Sequence, residues 1–199
     1  MMRGLSVKVL SDEDLVEKVR KNNQELYVEV VRRYQQPLFR YAFTLVHDHD
    51  IAQDIVQEAL IKAYTNLRSF NTKKKFSSWI YRITHNQAMD HFRSQRKLVS
   101  FEMLPELVSS LVSKSDVEVT LDETLLREKI DQVIDQLPVQ YRSVVALYYL
   151  EGKKYAEIGE VMKVPEGTVA TWLRRSKIIL AKALQEYEPK QKKQHEKKS

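Results

Sequence analysis

The strongest constraint on the fold is a pair of short helical segments joined by a sharp turn within residues 151–184. The first segment spans residues 155–162, residues 163–165 form the turn, and the second segment begins at residue 166 or 167. Such a pair is typical of the helix-turn-helix, whose second helix enters the major groove of duplex DNA. The pattern therefore predicts a DNA-binding unit in the C-terminal part of the chain.

The second of these helices is expected to have an apolar side and a cationic side. Val169 and Leu173 are predicted to pack inward. The side chains left facing outward are Ala170, Thr171, Arg174, Arg175 and Lys177. An arginine at such a position can bind guanine through two hydrogen bonds, worth about 1–3 kcal/mol of discrimination, and a threonine can contact a base edge or a phosphate.

Two residues shape the predicted turn. Gly159 is small enough to let the two helices approach closely. Lys163 stands where such turns usually hold glycine, and a left-handed backbone at a lysine costs about 1 kcal/mol. We therefore expect a helix-turn-helix whose turn tolerates a small conformational cost.

The composition favours an all-α protein. Only 4 glycines and 5 prolines occur in 199 residues, and apolar side chains recur at helical spacing. Since the sequence contains no cysteine, disulfides, zinc–thiolate sites and thiol catalysis are excluded. No apolar run is long enough for a signal peptide or a membrane span, so we expect a cytoplasmic protein without direct membrane insertion.

Charge alternates along the chain in blocks. Residues 1–61 carry 8 basic against 10 acidic side chains, whereas residues 62–97 carry 9 against 1. Residues 98–121 and residues 122–161 each have a net charge of −3, and residues 162–199 have a net charge of +6. Each basic block suits contact with phosphates, and the acidic stretches suit contact with proteins. For either basic block taken alone, the alternative interpretation is that its lysines are solvated and bind no partner.

The first third of the chain is predicted to form amphipathic helices. Ser11 followed by Asp14 predicts a helix start, and a longer helix runs from Gln24 with a kink or break at Pro37. From Ile51 an apolar stripe is predicted to face the core. The opposite face carries Asp54, Gln57, Glu58 and Ile61. An isoleucine within a small acidic face predicts a docking surface for a protein that carries arginines, and a solvated helix face is the alternative.

A loop with three consecutive lysines precedes another helix, predicted from Ser77 or Ser78 to about Arg96. The loop lysines are Lys73, Lys74 and Lys75. The buried stripe of the helix is predicted to contain Trp79, Ile80, Ile83, Ala88 and Phe92, and its surface to contain Tyr81, Arg82, His85, Asn86, Gln87, Arg93 and Arg96. Rings, amides and cations together suit unpaired bases. The alternative is a basic helix that contacts only the backbone of duplex DNA.

The rest of the chain divides into a linker, a second helical unit and a tail. Residues 98–121 lose the helical period and are predicted to form a flexible acidic linker. In residues 122–187 one helix is expected to stop at Pro138 and the next to close at Gly152. Residues 188–199 are predicted to form a basic disordered tail. Two domains, 11–97 and 122–187, are therefore expected.

Several short motifs occur in a specific order and spacing. They are Asp54-Ile55-Val56-Gln57-Glu58, Phe76-Ser77-Ser78-Trp79-Ile80-Tyr81-Arg82-Ile83, Asn86-Gln87-Ala88-Met89-Asp90, Leu137-Pro138 and Gly167-Thr168-Val169. With these motifs the chain resembles the extracytoplasmic-function (ECF) group of bacterial sigma factors, in the sigma-70 family, from about Asp12 to Glu186. The resemblance implies two small helical domains, a region 2 helical bundle and a region 4 helix-turn-helix domain.

The resemblance also implies a function and a set of partners. The protein would give core RNA polymerase its promoter specificity and assist promoter melting, with no cofactor. Core polymerase would bind Asp54, Gln57, Glu58 and Ile61. The minus-10 element, held as a melted single strand, would contact Lys73, Lys74, Lys75, Tyr81, Arg82, Asn86, Arg93 and Arg96. The duplex minus-35 element would contact Thr168, Thr171, Arg174, Arg175 and Lys177. An anti-sigma factor, often membrane-bound in this group, is a further implied partner.

Two other functions are compatible with parts of the sequence. The run His47-Asp48-His49-Asp50, with His85, Asp90 and His91, has residue types found in metal hydrolases. Adjacent loop residues point in different directions, so we interpret the run as a polar turn between helices and predict no metal site and no enzyme activity. The second alternative is a two-domain helix-turn-helix regulator that binds duplex DNA without core polymerase.

Overall fold

The computed structural model describes residues 10–21, 23–96 and 123–185, with side chains described for residues 10–21, 23–94 and 130–182. Within these residues all regular structure is helical, as predicted. Four helices form what we term the N-terminal unit: α1 (Asp12–Arg20), α2 (Tyr27–Val46), α3 (His49–Thr65) and α4 (Phe76–Arg96). Four more form the C-terminal unit: α5 (Glu123–Gln136), α6 (Val139–Val145), α7 (Tyr155–Met162) and α8 (Glu166–Gln185). The predicted linker and tail lie outside the described residues.

Side-chain caps start two of the N-terminal helices. The Ser11 hydroxyl accepts a hydrogen bond from the backbone N–H of Asp14 at 3.1 Å, as predicted. The Asp48 carboxylate starts α3 in the same way, accepting from the N–H groups of Asp50 and Ile51 at 3.0 Å. The His-Asp-His-Asp run is therefore a helix start, and the described residues contain no group of three or more acidic and histidine side chains placed to hold a metal ion.

Helix α2 continues through Pro37, so the break considered for this position does not occur. A proline in a helix interior removes one backbone donor. On either side of it, however, Tyr34, Leu38 and Tyr41 are buried in the core. The burial of this stripe holds the helix together until His47, which ends it in a left-handed conformation at φ 52°.

An aromatic cluster fixes the beginning of α4. Phe76, the first residue of the helix, is fully buried, and its ring lies edge-on to Tyr34 and Phe70 at centroid distances of 5.4 Å. Its backbone N–H donates to the Glu13 carboxylate at 2.8 Å. Trp79, one turn further, is 5.6 Å from the same ring. The hydrophobic core therefore positions both α4 and the lysine loop that precedes it.

Helices α7 and α8 form the predicted helix-turn-helix. Lys163 adopts the left-handed conformation expected from the sequence, at φ 60° and ψ 42°. Val169 and Leu173 are buried, as predicted. A Cβ atom built on Gly159 would lie 2.8 Å from the carbonyl oxygen of Val164, which explains why this position needs glycine. Gly152, at φ 60°, closes the preceding helical segment, which ends in a π-helical turn at Ala146–Leu150.

A matched pair of glycine substitutions tests this close approach. Gly159→Ala should lower the free energy of unfolding by roughly 1–2 kcal/mol, since the added methyl group meets backbone that cannot rotate away. Gly167→Ala adds the same group to a helix position with open space, and should be neutral or stabilising by about 0.4–1 kcal/mol. Urea denaturation followed by circular dichroism measures both. Equal effects of the two substitutions would contradict the packing described for Gly159.

The N-terminal and C-terminal units share one hydrophobic core. Leu147 and Ile158 belong to the same buried cluster as Leu38 and Ile80. Across the junction, the Arg142 guanidinium donates to the carbonyl oxygen of Leu45 at 2.6 Å. Helical periodicity predicts which side of each helix is apolar, but it contains no information on this packing between units. None of the described helices has the length and apolar character needed to cross a bilayer.

Candidate nucleic-acid and protein interfaces

The acidic face predicted for docking lies exposed on α3. Asp54, Gln57 and Glu58 are all exposed, and Ile61 retains 50% of its accessible surface. Glu58 makes an ion pair with Lys62 at 3.5 Å, one turn along the helix. The four predicted docking residues line a shallow groove of about 500 Å³. The rest of its lining comes from Ile55 and, on α4, from Gln87, Asp90, His91 and Ser94. The structure thus brings the four predicted docking residues together.

A second groove, of about 620 Å³, lies between α2 and α3. It is lined by Val31, Gln35, Gln36, Phe39, His49, Gln53, Val56, Gln57 and Leu60. It meets the docking face at Gln57. The contribution of α2 was not predicted, although two adjacent glutamines one turn before the partly exposed Phe39 could have indicated it. The exposed surface around α3 is therefore wider than the acidic face alone.

The lysine loop is held from both ends. The side chain of Asn71 accepts a hydrogen bond from the backbone N–H of Lys73 at 3.0 Å, and its carbonyl oxygen accepts one from Lys74 at 2.9 Å. Phe70 and Phe76 are buried on either side of the loop. This anchoring leaves the side chains of all three lysines exposed.

A pocket of about 190 Å³ opens beside the loop, and we call it the lysine-loop pocket. Its lining consists of Ser69, Phe70, Asn71, Lys74, Lys75, Ser78, Trp79, Arg82 and Glu160. The rings of Phe70 and Trp79 lie 5.2 Å apart. The Ser78 hydroxyl is buried and has no hydrogen-bond partner among the described residues. A buried polar atom without a partner is costly unless a ligand satisfies it.

Only part of this pocket was predicted from the sequence. Lys74, Lys75 and Arg82 were predicted to bind nucleic acid, whereas Trp79 was assigned to the core and Ser78 was considered only as a possible first residue of the helix. Trp79 is in fact half-buried and serves both the core and the pocket. Only the folded loop shows that residues 69–71 and residues 78–82 line the same cavity.

Two residues of α4 predicted to be exposed are buried. Tyr81 is 2% exposed: its hydroxyl donates to the Glu151 carboxylate, and the Lys153 ammonium lies 4.3 Å from the centre of its ring. His85 is 7% exposed, and its Nδ1 lies 2.8 Å from the Tyr41 hydroxyl. Burial lowers the pKa of His85 to about 4, so the imidazole is neutral at physiological pH. The predicted exposure was wrong because tertiary packing covers both side chains. Glu151 and Lys153 of the C-terminal unit lie on Tyr81, and Tyr41 of α2 lies against His85.

The other predicted nucleic-acid contacts on α4 differ in their surroundings. Asn86 is exposed, and Arg82 is half-buried at the rim of the lysine-loop pocket. Arg93 is exposed and pairs with Asp90 at 2.7 Å. Arg96 is the last residue of the helix, and its side chain is not among those described.

The outer side of α8 is cationic, as predicted. Arg174, Arg175 and Lys177 are exposed, while Thr168 and Thr171 are half-buried. These five are the residues predicted to contact duplex DNA. The Thr171 hydroxyl donates to the carbonyl oxygen of Gly167 at 2.8 Å, one turn earlier, so its lone pairs remain available as acceptors. A row of exposed cations on the second helix of a helix-turn-helix is the arrangement that contacts bases and phosphates in a major groove.

A helix-turn-helix whose second helix exposes a row of cations, together with a cationic loop beside a small aromatic pocket, defines a DNA-binding protein. Comparison with known families gives the same class. The family model "Sigma-70 region 2" matches residues 30–98, and "Sigma-70, region 4" matches residues 127–180.

Curated relatives agree over most of the chain. The ECF RNA polymerase sigma factor SigW of Bacillus subtilis is 32% identical over 181 residues, covering 86% of this chain and 95% of the relative. The ECF RNA polymerase sigma-E factor of Escherichia coli K12 is 33% identical over 84% of this chain and 91% of its own length. The chain belongs to the ECF group of RNA polymerase sigma factors and directs promoter-specific initiation of transcription.

Solved structures show the same fold. CnrH, solved in complex with the cytosolic domain of CnrY, superposes with a TM-score of 0.66 at 19% identity, covering 87% of this chain and 97% of that one. The sigma factor RpoE of Bartonella quintana, solved with the anti-sigma factor NepR, gives a TM-score of 0.62 at 20% identity, covering 80% and 96%.

Proposed function

We propose that three surfaces of this sigma factor bind three different partners at a promoter. The acidic face of α3 binds core RNA polymerase, the lysine loop and α4 bind the melted minus-10 element, and the outer side of α8 binds the duplex minus-35 element. The observation that carries this proposal is the lysine-loop pocket, where an unpartnered serine hydroxyl, two aromatic rings and several cations converge.

The lysine-loop pocket suits a base that has left the double helix. A base inserted there would lie against the rings of Phe70 and Trp79, and its polar edge would satisfy the Ser78 hydroxyl. Base–aromatic stacking contributes about 1–3 kcal/mol per base. Lys74 and Lys75 would bind the adjoining phosphates. In the duplex, the Watson–Crick edge of a base is bonded to its partner and both of its faces are covered by neighbouring bases. Only a base of the opened strand can therefore enter the pocket.

Promoter melting then follows from differential binding. A ligand shifts an equilibrium by the difference between its affinities for the two states. By holding an unstacked base and its neighbouring phosphates, the N-terminal unit offsets the few kcal/mol that extrusion of a base costs. Bond-making chemistry stays with the polymerase, and we assign this chain no catalytic residue and no cofactor.

The C-terminal unit contacts the minus-35 element, which lies upstream of the minus-10 element. Arg174 and Arg175 lie where an α-helix in the major groove presents side chains to base edges, and Lys177 lies where it would contact phosphate. Because the two units belong to one chain, binding of either raises the effective concentration of the other at its own element. Neither unit alone is expected to select a promoter well.

The remaining partners follow from the sigma-factor family. We place the protein in the cytoplasm, where it meets polymerase and DNA, and we infer an anti-sigma factor as its inhibitor. A regulator that binds duplex DNA independently of polymerase is not favoured, because both sigma-70 regions match this chain in order.

Run-off transcription tests the proposal. Purified protein is added to bacterial core RNA polymerase on a library of genomic fragments, and the transcript starts are sequenced. We expect initiation at a defined set of sites that share two separated elements. Permanganate footprinting of the same complexes should show unpaired thymines at the downstream element. Specific initiation without such reactivity would contradict the role assigned to the lysine-loop pocket.

Removing the acidic face should weaken binding to core polymerase. For the double substitution Asp54→Ala and Glu58→Ala we expect about 5- to 30-fold weaker competition for core enzyme, because two exposed ion pairs contribute about 1–2 kcal/mol together. Competition against a labelled second sigma factor measures this effect.

The matched control removes the same charge elsewhere. Glu17 and Glu25 are exposed carboxylates distant in sequence from the docking face, and Glu17→Ala with Glu25→Ala should leave competition for core enzyme unchanged. An equal loss in both double variants would point to net charge alone and would overturn the assignment of the α3 face.

A further inference from the structure

Helix α1 contacts the chain on both sides of the lysine loop. Before the loop, the Arg20 guanidinium donates to the carbonyl oxygen of Arg68 at 3.0 Å and to that of Phe70 at 3.1 Å. After the loop, the Glu13 carboxylate accepts a hydrogen bond from the backbone N–H of Phe76 at 2.8 Å. One short helix thus holds two segments that lie 48 to 63 residues further along the chain.

The two charged side chains act from the same side of α1. Glu13 and Arg20 are seven residues apart, which is almost two helical turns. Helix α1 is itself fixed against α2, because the Asp12 carboxylate pairs with Arg33 at 2.8 Å and accepts from the Tyr34 hydroxyl at 2.5 Å. The apolar side of α1 is buried in the core. The helix therefore provides a fixed base for both contacts.

The two segments held by α1 carry residues that line the lysine-loop pocket. Phe70 and Asn71 line it from the segment before the lysines. Ser78 and Trp79 line it from the first turn of α4. The rings of Phe70 and Trp79 lie 5.2 Å apart, so the two segments meet at the pocket. The shape of the pocket therefore depends on how these segments are placed relative to each other.

The chemistry of both side chains suits this role. The guanidinium of Arg20 presents its N–H groups in a planar fork, so its two hydrogen bonds fix the carbonyl oxygens of Arg68 and Phe70 relative to each other. A carboxylate such as that of Glu13 is favourable beside the unpaired N–H groups at the start of a helix. Both side chains are half-buried. Their partners are backbone groups, so the sequence shows no local pattern that would indicate these contacts.

We propose that Arg20 and Glu13 are positioning residues for the opened promoter strand: they hold the two segments of the lysine-loop pocket in the arrangement that accepts an unstacked base, without touching DNA themselves. The inference rests on the proposed function of that pocket. A pocket that is already formed loses less conformational freedom when its ligand binds, and the ligand therefore binds more tightly. Helix α1 thus contributes to minus-10 recognition through the backbone of the lysine loop.

Removal of single bases from a bound strand tests the role of Arg20. The probes are a fluorescently labelled 12-nucleotide single strand, taken from the downstream element mapped by run-off transcription, and its derivatives with one abasic position each. With the unaltered full-length chain, loss of the inserted base should weaken binding about 5- to 150-fold, the range for stacking on aromatic side chains. Fluorescence anisotropy measures the affinities.

Arg20→Lys should make binding insensitive to that same base. The substitution keeps the positive charge but not the planar fork, so attraction to phosphates is retained and the shape of the pocket is lost. We expect the intact strand to bind more weakly, and removal of the inserted base to cost this variant less than about 3-fold. A smaller folded fraction would instead weaken binding of every strand by the same factor, and circular dichroism measures that fraction.

Arg68→Lys is the matched control. The Arg68 side chain is exposed, and only its backbone carbonyl is held by α1. The same exchange of arginine for lysine should therefore leave the abasic position as costly as in the unaltered protein. Equal loss of base dependence in Arg20→Lys and Arg68→Lys would overturn the role of Arg20.

Two substitutions of Glu13 separate its hydrogen bond from its charge. Glu13→Gln and Glu13→Ala both remove one carboxylate, but only glutamine can accept the N–H of Phe76. The alanine variant should bind the intact strand about 3- to 10-fold more weakly than the glutamine variant, the range for loss of one hydrogen bond. General electrostatics predicts no difference between them. Equal affinities would overturn the role of Glu13.

The abasic strands also distinguish failure of this inference from failure of the proposed function. If no abasic position weakens binding by the unaltered protein, the lysine-loop pocket holds no base, and both are overturned. If one position matters, and matters equally in Arg20→Lys, the pocket keeps its role and only positioning by α1 is overturned. Should Arg20→Lys fail to fold, the same comparison between Glu13→Ala and Glu13→Gln gives the answer.

Discussion

Phe76→Ala should lower the free energy of unfolding by about 3–5 kcal/mol, the range expected for loss of a fully buried phenylalanine. The cavity would open between Tyr34, Phe70 and Trp79, whose rings all contact Phe76. Since Phe76 also anchors the end of the lysine loop, we expect binding of single-stranded DNA to fall in the molecules that remain folded. Urea denaturation and anisotropy measure the two effects.

An exposed phenylalanine provides the control. Phe43 on α2 is 40% exposed, and Phe43→Ala should cost about 1 kcal/mol or less, with no change in DNA binding. Comparable destabilisation by both substitutions would show that the aromatic cluster is not the structural centre of the N-terminal unit.

Arg174→Ala with Arg175→Ala should reduce initiation at promoters that carry a minus-35 element by about 30-fold or more. Each arginine that pairs with a base contributes about 1–3 kcal/mol of discrimination, so even the lower limit for two gives this factor. Neither residue lies in the hydrophobic core, so the fold should be unaffected. Run-off transcription on templates with and without the upstream element measures the loss.

The control again matches the change in charge. Lys21 and Lys182 are exposed cations outside the proposed interfaces, and replacing both with alanine should reduce initiation only slightly. Binding of the single strand should be similar in both double variants. If the double arginine variant loses as much initiation on templates without the upstream element as on templates with it, the assignment of α8 to the minus-35 element is wrong.

Local patterns predicted most of the secondary structure. Ser11 starts α1, α5 ends just before Pro138, and Lys163 takes the left-handed conformation that the turn requires. These features depend on capping, ring geometry and backbone sterics within a few residues, which a sequence displays directly. Pro37 is the exception, because the burial of its neighbours is a tertiary effect.

The candidate sites were predicted less completely than the helices. The exposed acidic face of α3 and the exposed cations of α8 were predicted correctly because each of these helices has a single buried side. Ala170 and Thr171, also predicted to face outward, are half-buried. The prediction failed on α4, where Tyr81 and His85 are buried. A helix covered on two sides has a wider buried stripe than periodicity suggests, and the sequence does not indicate which polar residues lie within it. The lysine-loop pocket was missed in part for a related reason, since its lining comes from separate segments.

The amino-acid sequence by itself determined the all-α class, the helix-turn-helix, the two cationic blocks and the family to which the chain belongs. Each of these depends on spacing and composition over short distances along the chain. Only the tertiary structure decided that Glu157 and Glu160 lie on Lys75 and Lys74, more than eighty residues away. Contacts of that range depend on how two units pack, and packing is set by the shapes of complete surfaces that no local pattern encodes.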